Sequence, residues 1–250
     1  MPKTFTCMYH ILVLNWFIFL NLYISQFGKS KDGSKIFANG GQWKYLTILN
    51  MLYIKNTSTG FVLVRDGVFH QLLQAIFYGV ACLDDVLKRI SGRKDIKFLT
   101  AFRDLLFTAL AFPVSTFVFL GFWTLFHYNR ELIYPKVLDD ILPVWLNHAM
   151  HTSILPVSLV EVILRPYHYP SKKIGLSLLA ASALAYISRV LWHHTKTGTW
   201  VYPVFEKLSP LGLATFFFLS YIFTANLYLL GEKLNHWKWG DMMQPQKKRK

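Results

Sequence analysis

Acid is scarce beside base in this chain of 250 residues, with 13 Asp and Glu against 27 Lys and Arg. That shortage leaves a net charge of +14. Cysteine occurs only twice, as Cys7 and Cys82, so no disulfide framework is available. Glycine is also sparse, at 14 residues, and forms neither a phosphate-cradling loop nor a G-x-S-x-G elbow. These absences remove the P-loop, Rossmann and serine-elbow hydrolase readings.

What the sequence has in abundance is apolar bulk. Hydrophobic residues make up 53% and aromatics 17%, and the mean hydropathy is +0.31. A soluble globule would have to expose much of that surface, whereas side chains facing lipid need not be hidden. Uncharged runs cover residues 8–27, 105–128, 141–160 and 208–230, and another runs over 174–192 with only Arg189 inside it. Each approaches the roughly 20 residues that a helix needs to cross a bilayer. A sixth apolar region, between Tyr45 and Leu83, is interrupted. The expectation is an all-α membrane protein of about six transmembrane helices, one polytopic domain over residues 1–250. The first run lacks a small-x-small cleavage site and is read as a retained helix rather than a signal peptide.

Charge distribution orients this plan. With the N-terminus in the cytosol, Lys88, Arg89, Arg93, Lys94, Lys97, Arg165, Lys172, Lys173 and the basic tail at 233–250 gather on one side. The positive-inside rule then places both termini in the cytosol. The basic loops suit anionic headgroups, and no nucleic-acid fold signal accompanies them. The closing Gln246-Lys247-Lys248-Arg249-Lys250 has the form of a dilysine retrieval address for the endoplasmic reticulum, or of a polybasic segment at a lipid surface.

The second span is split by a segment of different character. Tyr45 to Leu52 is apolar, Tyr53 to Gly60 is polar and turn-rich, and Val68 to Leu83 is apolar again. Removing residues 53–72 would join Leu52 to Leu73 and restore one uninterrupted span. The segment reads as an insertion: either residues 68–83 slide in to replace the original span, which puts fewer polar groups in lipid and is preferred, or the old span survives and the extra residues bulge out as a loop. Asn56-Thr57-Ser58 within it is a glycosylation sequon.

The run Pro143-Val144-Trp145-Leu146-Asn147-His148-Ala149-Met150-His151-Thr152 carries the densest polar chemistry inside a span. Asn147, His148 and His151 lie three and four residues apart, a spacing that puts them on one helical face. Histidine is the side chain best suited to proton transfer near neutrality. His148-x-x-His151 with His193-His194 falls well short of the roughly eight ligands of a membrane di-iron centre, so neither a metal nor another cofactor is expected. Glu161 and Arg189 are placed as a structural ion pair between neighbouring spans. Thr47 and Thr152 are the hydroxyls expected at similar depth to the histidines, and a Thr attacks only when a base accepts its proton.

Several motifs bear a family resemblance. Gly40-Gly41-Gln42-Trp43-Lys44-Tyr45-Leu46-Thr47, Leu110-Ala111-Phe112-Pro113-Val114, Ile133-Tyr134-Pro135-Lys136, the Trp145 to Thr152 run, Thr199-Trp200-Val201-Tyr202-Pro203 and Tyr228-Leu229-Leu230-Gly231-Glu232 resemble the androgen-induced gene family. The resemblance covers nearly the whole chain and departs from the family pattern at residues 53–72. It implies a six-span threonine hydrolase that cleaves fatty acid esters of hydroxy fatty acids, with Thr47 as nucleophile and His151 as base. Asn147 and His148 are the supporting candidates by position. The lipid ester is then the substrate and membrane lipid the setting. The resemblance also implies an alternative, a non-enzymatic regulator linked to cell-associated tissue factor pathway inhibitor and anticoagulant activity at the cell membrane.

Overall fold

A computed structural model describes residues 3–27, 69–90, 97–139, 143–198 and 200–243. All regular structure among the described residues is helical. In chain order the helices are α1 (Lys3–Phe27), α2 (Phe69–Ile90), α3 (Lys97–Leu106), α4 (Phe112–Asn129), α5 (Val144–His151), α6 (Ile154–Leu164), α7 (Lys172–Thr197), α8 (Pro203–Glu206) and α9 (Pro210–Met243). Thr47, the sequon at Asn56 and the terminal lysines fall outside the described residues.

Four helical stretches are long and apolar enough to cross a membrane: Thr4–Ile24, Lys97–Leu132, Lys172–Thr197 and Pro210–Gly240. The other two expected crossings take different forms. The helix expected over residues 68–83 is α2, which carries Gln71, Gln74, Asp84 and Asp85 on buried positions. The run at 141–160 breaks at Thr152 and Ser153 into two short helices, α5 and α6. The segment 233–250, expected as a tail, continues as helix α9 to Met243.

Packing follows the apolar faces. α1 lies along α2, α4 lies against α6 and α9, and α7 meets α9 and the turn before α4. The core between them is aromatic, with Phe17, Phe77, Tyr78, Phe107, Phe112 and Tyr167 essentially buried. The outer faces of α7 and α9 present Leu184, Leu211, Phe218 and Leu219 at more than half exposure. Apolar side chains in that position suit a lipid environment rather than water.

Lys97–Leu132 stays continuous despite Pro113 because one turn widens. Residues Phe107–Ala111 form a π-turn, in which the Phe112 N–H donates to the Phe107 carbonyl. Such turns absorb a proline, which lacks its own N–H, and neighbouring side chains meet the carbonyls that it frees. Gln74 of α2 packs against the same turn, donating its amide to the Ala111 carbonyl at 3.1 Å and to the Ser115 hydroxyl. α7 ends where Gly198 adopts φ +69° and returns its N–H to His194, the left-handed stop that glycine permits.

Gly231 brings α9 close to α4 and to Tyr169. A Cβ there would lie 2.7 Å from the Phe112 ring and from the Tyr169 hydroxyl. Gly231→Ala should therefore cost about 1–3 kcal/mol of stability. A fall in melting temperature of the detergent-purified protein checks it, and an unchanged temperature refutes the packing.

Candidate active site

His151 sits at the last position of α5, on the wall of an apolar cavity of roughly 230 Å³. The cavity runs between α4, α7 and α9 and is walled mainly by aliphatic and aromatic side chains, among them Val114, Phe117, Phe122, Leu125, Phe216 and Phe217. His70 of α2 lines the same cavity, and its ring centre is 6.2 Å from that of His151.

The His151 ring is held on two sides. One face stacks flat on Phe122, with 3.7 Å between centroids and 6° between planes. Its Nδ1 lies 2.8 Å from Asn147 Oδ1 and 3.2 Å from the Asn147 backbone carbonyl. A backbone carbonyl can only accept, so Nδ1 carries the hydrogen and Nε2 is left with the lone pair. The geometry gives a neutral imidazole whose basic nitrogen is the one away from its own helix.

Asn147 and His151 thus share a face, as their spacing of four predicts. His148 does not join them. It is exposed, stacks near Trp123 and bonds Thr152 Oγ1 at 2.9 Å through Nδ1. His148 is one residue, about 100° of helical rotation, from Asn147, which carries its side chain to the exposed edge of α5. Thr152, the second hydroxyl expected near the site, is paired with His148 on that rim rather than with His151.

The loop after α4 closes over this end of the bundle. Arg130 bonds Asp139 at 2.7 Å and the Tyr134 carbonyl at 3.2 Å, and Tyr134 packs edge-on to Phe122. Burial pushes the Tyr134 phenol up to about 12, so it remains a neutral packing group.

A second polar cluster lies toward the opposite end, and the sequence reading did not anticipate it. His10 of α1 is fully buried, with Nδ1 2.7 Å from Asp85 of α2 and Nε2 2.9 Å from Glu161 of α6. Tyr167 donates to the same Glu161, and Arg165 bonds Asp85 at 2.9 Å. Arg103 joins Asp84 to Asp104, and Lys88 adds to Asp84 at 3.0 Å. This overturns the expected Glu161–Arg189 pair. Glu161 points inward to His10 and Tyr167, while Arg189 on α7 lies over the Trp192 ring at 5.5 Å. The sequence signal was present in His10, an imidazole inside an uncharged span, which demands a partner wherever it is buried.

An all-helical bundle with bilayer-length apolar helices, and a tethered histidine on an intramembrane-type cavity, defines a class of polytopic lipid-facing proteins. The chain belongs to the FAR-17a/AIG1-like protein family, whose model matches residues 5–236. Androgen-dependent TFPI-regulating protein of Homo sapiens is 68% identical over 250 residues, covering all of both chains. Androgen-induced gene 1 protein of Homo sapiens is 39% identical over 207 residues, 80% of this chain and 79% of that one. A UPF0641 membrane protein of Schizosaccharomyces pombe is 26% identical over 122 residues, about half of each chain. No solved structure matches.

Proposed function

We propose that this chain is a membrane-embedded threonine hydrolase that cleaves fatty acid esters of hydroxy fatty acids into a fatty acid and a hydroxy fatty acid. The observation that carries the reading is His151, fixed by Asn147 so that its basic nitrogen is free, on the wall of an apolar cavity. A buried base beside an acyl-sized apolar space suits a two-tailed lipid that partitions into the bilayer.

In this mechanism His151 Nε2 takes the proton of Thr47 as the hydroxyl oxygen attacks the ester carbonyl. The tetrahedral intermediate collapses, the hydroxy fatty acid leaves with the proton from His151, and Thr47 holds the acyl group. Water, deprotonated by the same imidazole, then attacks the acyl-threonine and releases the fatty acid. Asn147 acts by holding the His151 tautomer, and His148, engaged with Thr152, takes no part. No metal or cofactor enters the scheme.

Hydrolysis of a hydroxy-fatty-acid ester by the purified protein tests the reading. Thr47→Ala and His151→Ala should each lower kcat at least about a hundredfold, the scale of losing a nucleophile or its base. Thr152→Ala should leave it within about twofold. Equal hydrolysis by parent, Thr47→Ala and His151→Ala would sink the assignment.

A second reading, a non-enzymatic membrane regulator of cell-associated tissue factor pathway inhibitor, is favoured by the name of the 68% identical relative. The two separate in cells that carry the inhibitor at their surface, with the chain at the plasma membrane or endoplasmic reticulum. A hydrolytically dead His151→Ala chain that still raises surface inhibitor supports the regulator. One that fails to do so ties regulation to lipid cleavage.

A further inference from the structure

We infer that His70 and Gln71 are positioning residues for His151, acting on it through the peptide carbonyl of Met150. The inference rests on the hydrolase reading for the role of His151, but its contacts do not depend on that reading.

The break between α5 and α6 falls immediately after His151. Thr152 and Ser153 both return their N–H groups to the His148 carbonyl, at 2.9 and 3.0 Å. The Ser153 N–H that would continue the helix onto Ala149 is therefore diverted, and its hydroxyl serves the Ala149 carbonyl instead at 2.7 Å. One residue further on, Met150 offers its carbonyl to α2. His70 Nε2 approaches it at 3.2 Å and Gln71 Nε2 at 3.4 Å. Both side chains are buried, Gln71 completely.

A carbonyl left without a donor in a lipid-like interior costs several kcal/mol, so a helix can end there only if another element supplies the hydrogen. Here α2 supplies two. Because Met150 immediately precedes His151, tying its carbonyl fixes the peptide plane from which the His151 side chain departs. Phe122 then sets the ring face and Asn147 the ring edge. The carbonyl can only accept, so His70 holds its hydrogen on Nε2. His70 and His151 line one cavity as two neutral imidazoles with different tautomers fixed by different partners.

His70 and Gln71 belong to residues 53–72, the stretch whose composition reads as an insertion. That segment therefore ends by contributing two side chains to the wall behind the base, and the helix runs on from them without interruption to Ile90.

The test uses the full chain in lipid nanodiscs, labelled with ¹⁵N-histidine, with the His151 signals assigned by their loss in His151→Gln. His70→Phe and Gln71→Leu each remove one donor and keep bulk, while His70→Asn restores a donating amide. The His151 Nδ1–H signal should shift and broaden in His70→Phe, and less so in Gln71→Leu. It should return toward the parental position in His70→Asn. On a hydroxy-fatty-acid ester, kcat should fall about tenfold or more in His70→Phe with KM within about twofold, the pattern of a misplaced catalytic group. Parental His151 signals in both Gln71→Leu and folded His70→Phe overturn the inference. Should His70→Phe not fold, the Gln71→Leu shift and the parental signals of His70→Asn decide it alone. A parent chain that shows no ester hydrolysis sinks the hydrolase reading and leaves the histidine signals to judge the positioning.

Discussion

Deleting residues 53–72 should raise ester hydrolysis about a hundredfold over the full chain, because the deletion sets Thr47 in one uninterrupted apolar run with Leu73 and the residues that follow it. Joining Leu52 to Leu73 places Thr47 six positions before Leu73, where residue 67 stands in the present numbering. That position is three residues, or one turn, before His70, whose ring lies 6.2 Å from His151. Asn50 and Met51 would succeed His70 and Gln71, and the Asn50 amide can still donate to the Met150 carbonyl. Rates of the deleted chain and of its Thr47→Ala derivative check this. A deleted chain that melts at the parental temperature but hydrolyses no faster overturns it.

His10→Leu lowers stability by about 3–5 kcal/mol, the scale of breaking one partner out of a buried ion cluster. His10 has no solvent exposure, and its two nitrogens meet Asp85 and Glu161. Removing the imidazole leaves both carboxylates in place, with Arg165 on Asp85 and the Tyr167 hydroxyl on Glu161 as their remaining partners. Desolvated charge without its counter-ion is what makes the change severe, rather than the lost bonds themselves. The double variant His10→Leu with Glu161→Leu should recover much of the loss, since it replaces both members with apolar groups of similar size. Thermal unfolding in nanodiscs measures both. A double variant no more stable than His10→Leu refutes the ionic account and assigns the effect to packing.

The helical class was legible because it depends on composition and run length alone. Runs such as 8–27 and 208–230 carry no Asp, Glu, Lys or Arg over the thickness of a bilayer, and helices α1 and α9 occupy them. The run 141–160 misled for the same reason. Hydropathy sums over Thr152 and Ser153 without registering that their N–H groups both turn back to His148. Within the Trp145 to Thr152 run, a spacing of four paired Asn147 with His151, but a spacing of three did not bring in His148. A short helix has too little contact surface to bury a face that wide. His70 escaped notice because its nearest chemistry is eighty residues away at Met150.

The sequence by itself determined that this chain is a helical, lipid-suited bundle of the FAR-17a/AIG1-like family with a histidine-bearing segment inside it. Those properties are local or additive, and each residue contributes wherever it packs. Tertiary structure alone decided which polar groups meet: His151 with Asn147 and Phe122, His70 with the Met150 carbonyl, and His10 with Asp85 and Glu161. A buried polar group must find a partner, but periodicity fixes only the face it lies on, and the partner's identity comes from how distant helices are brought together.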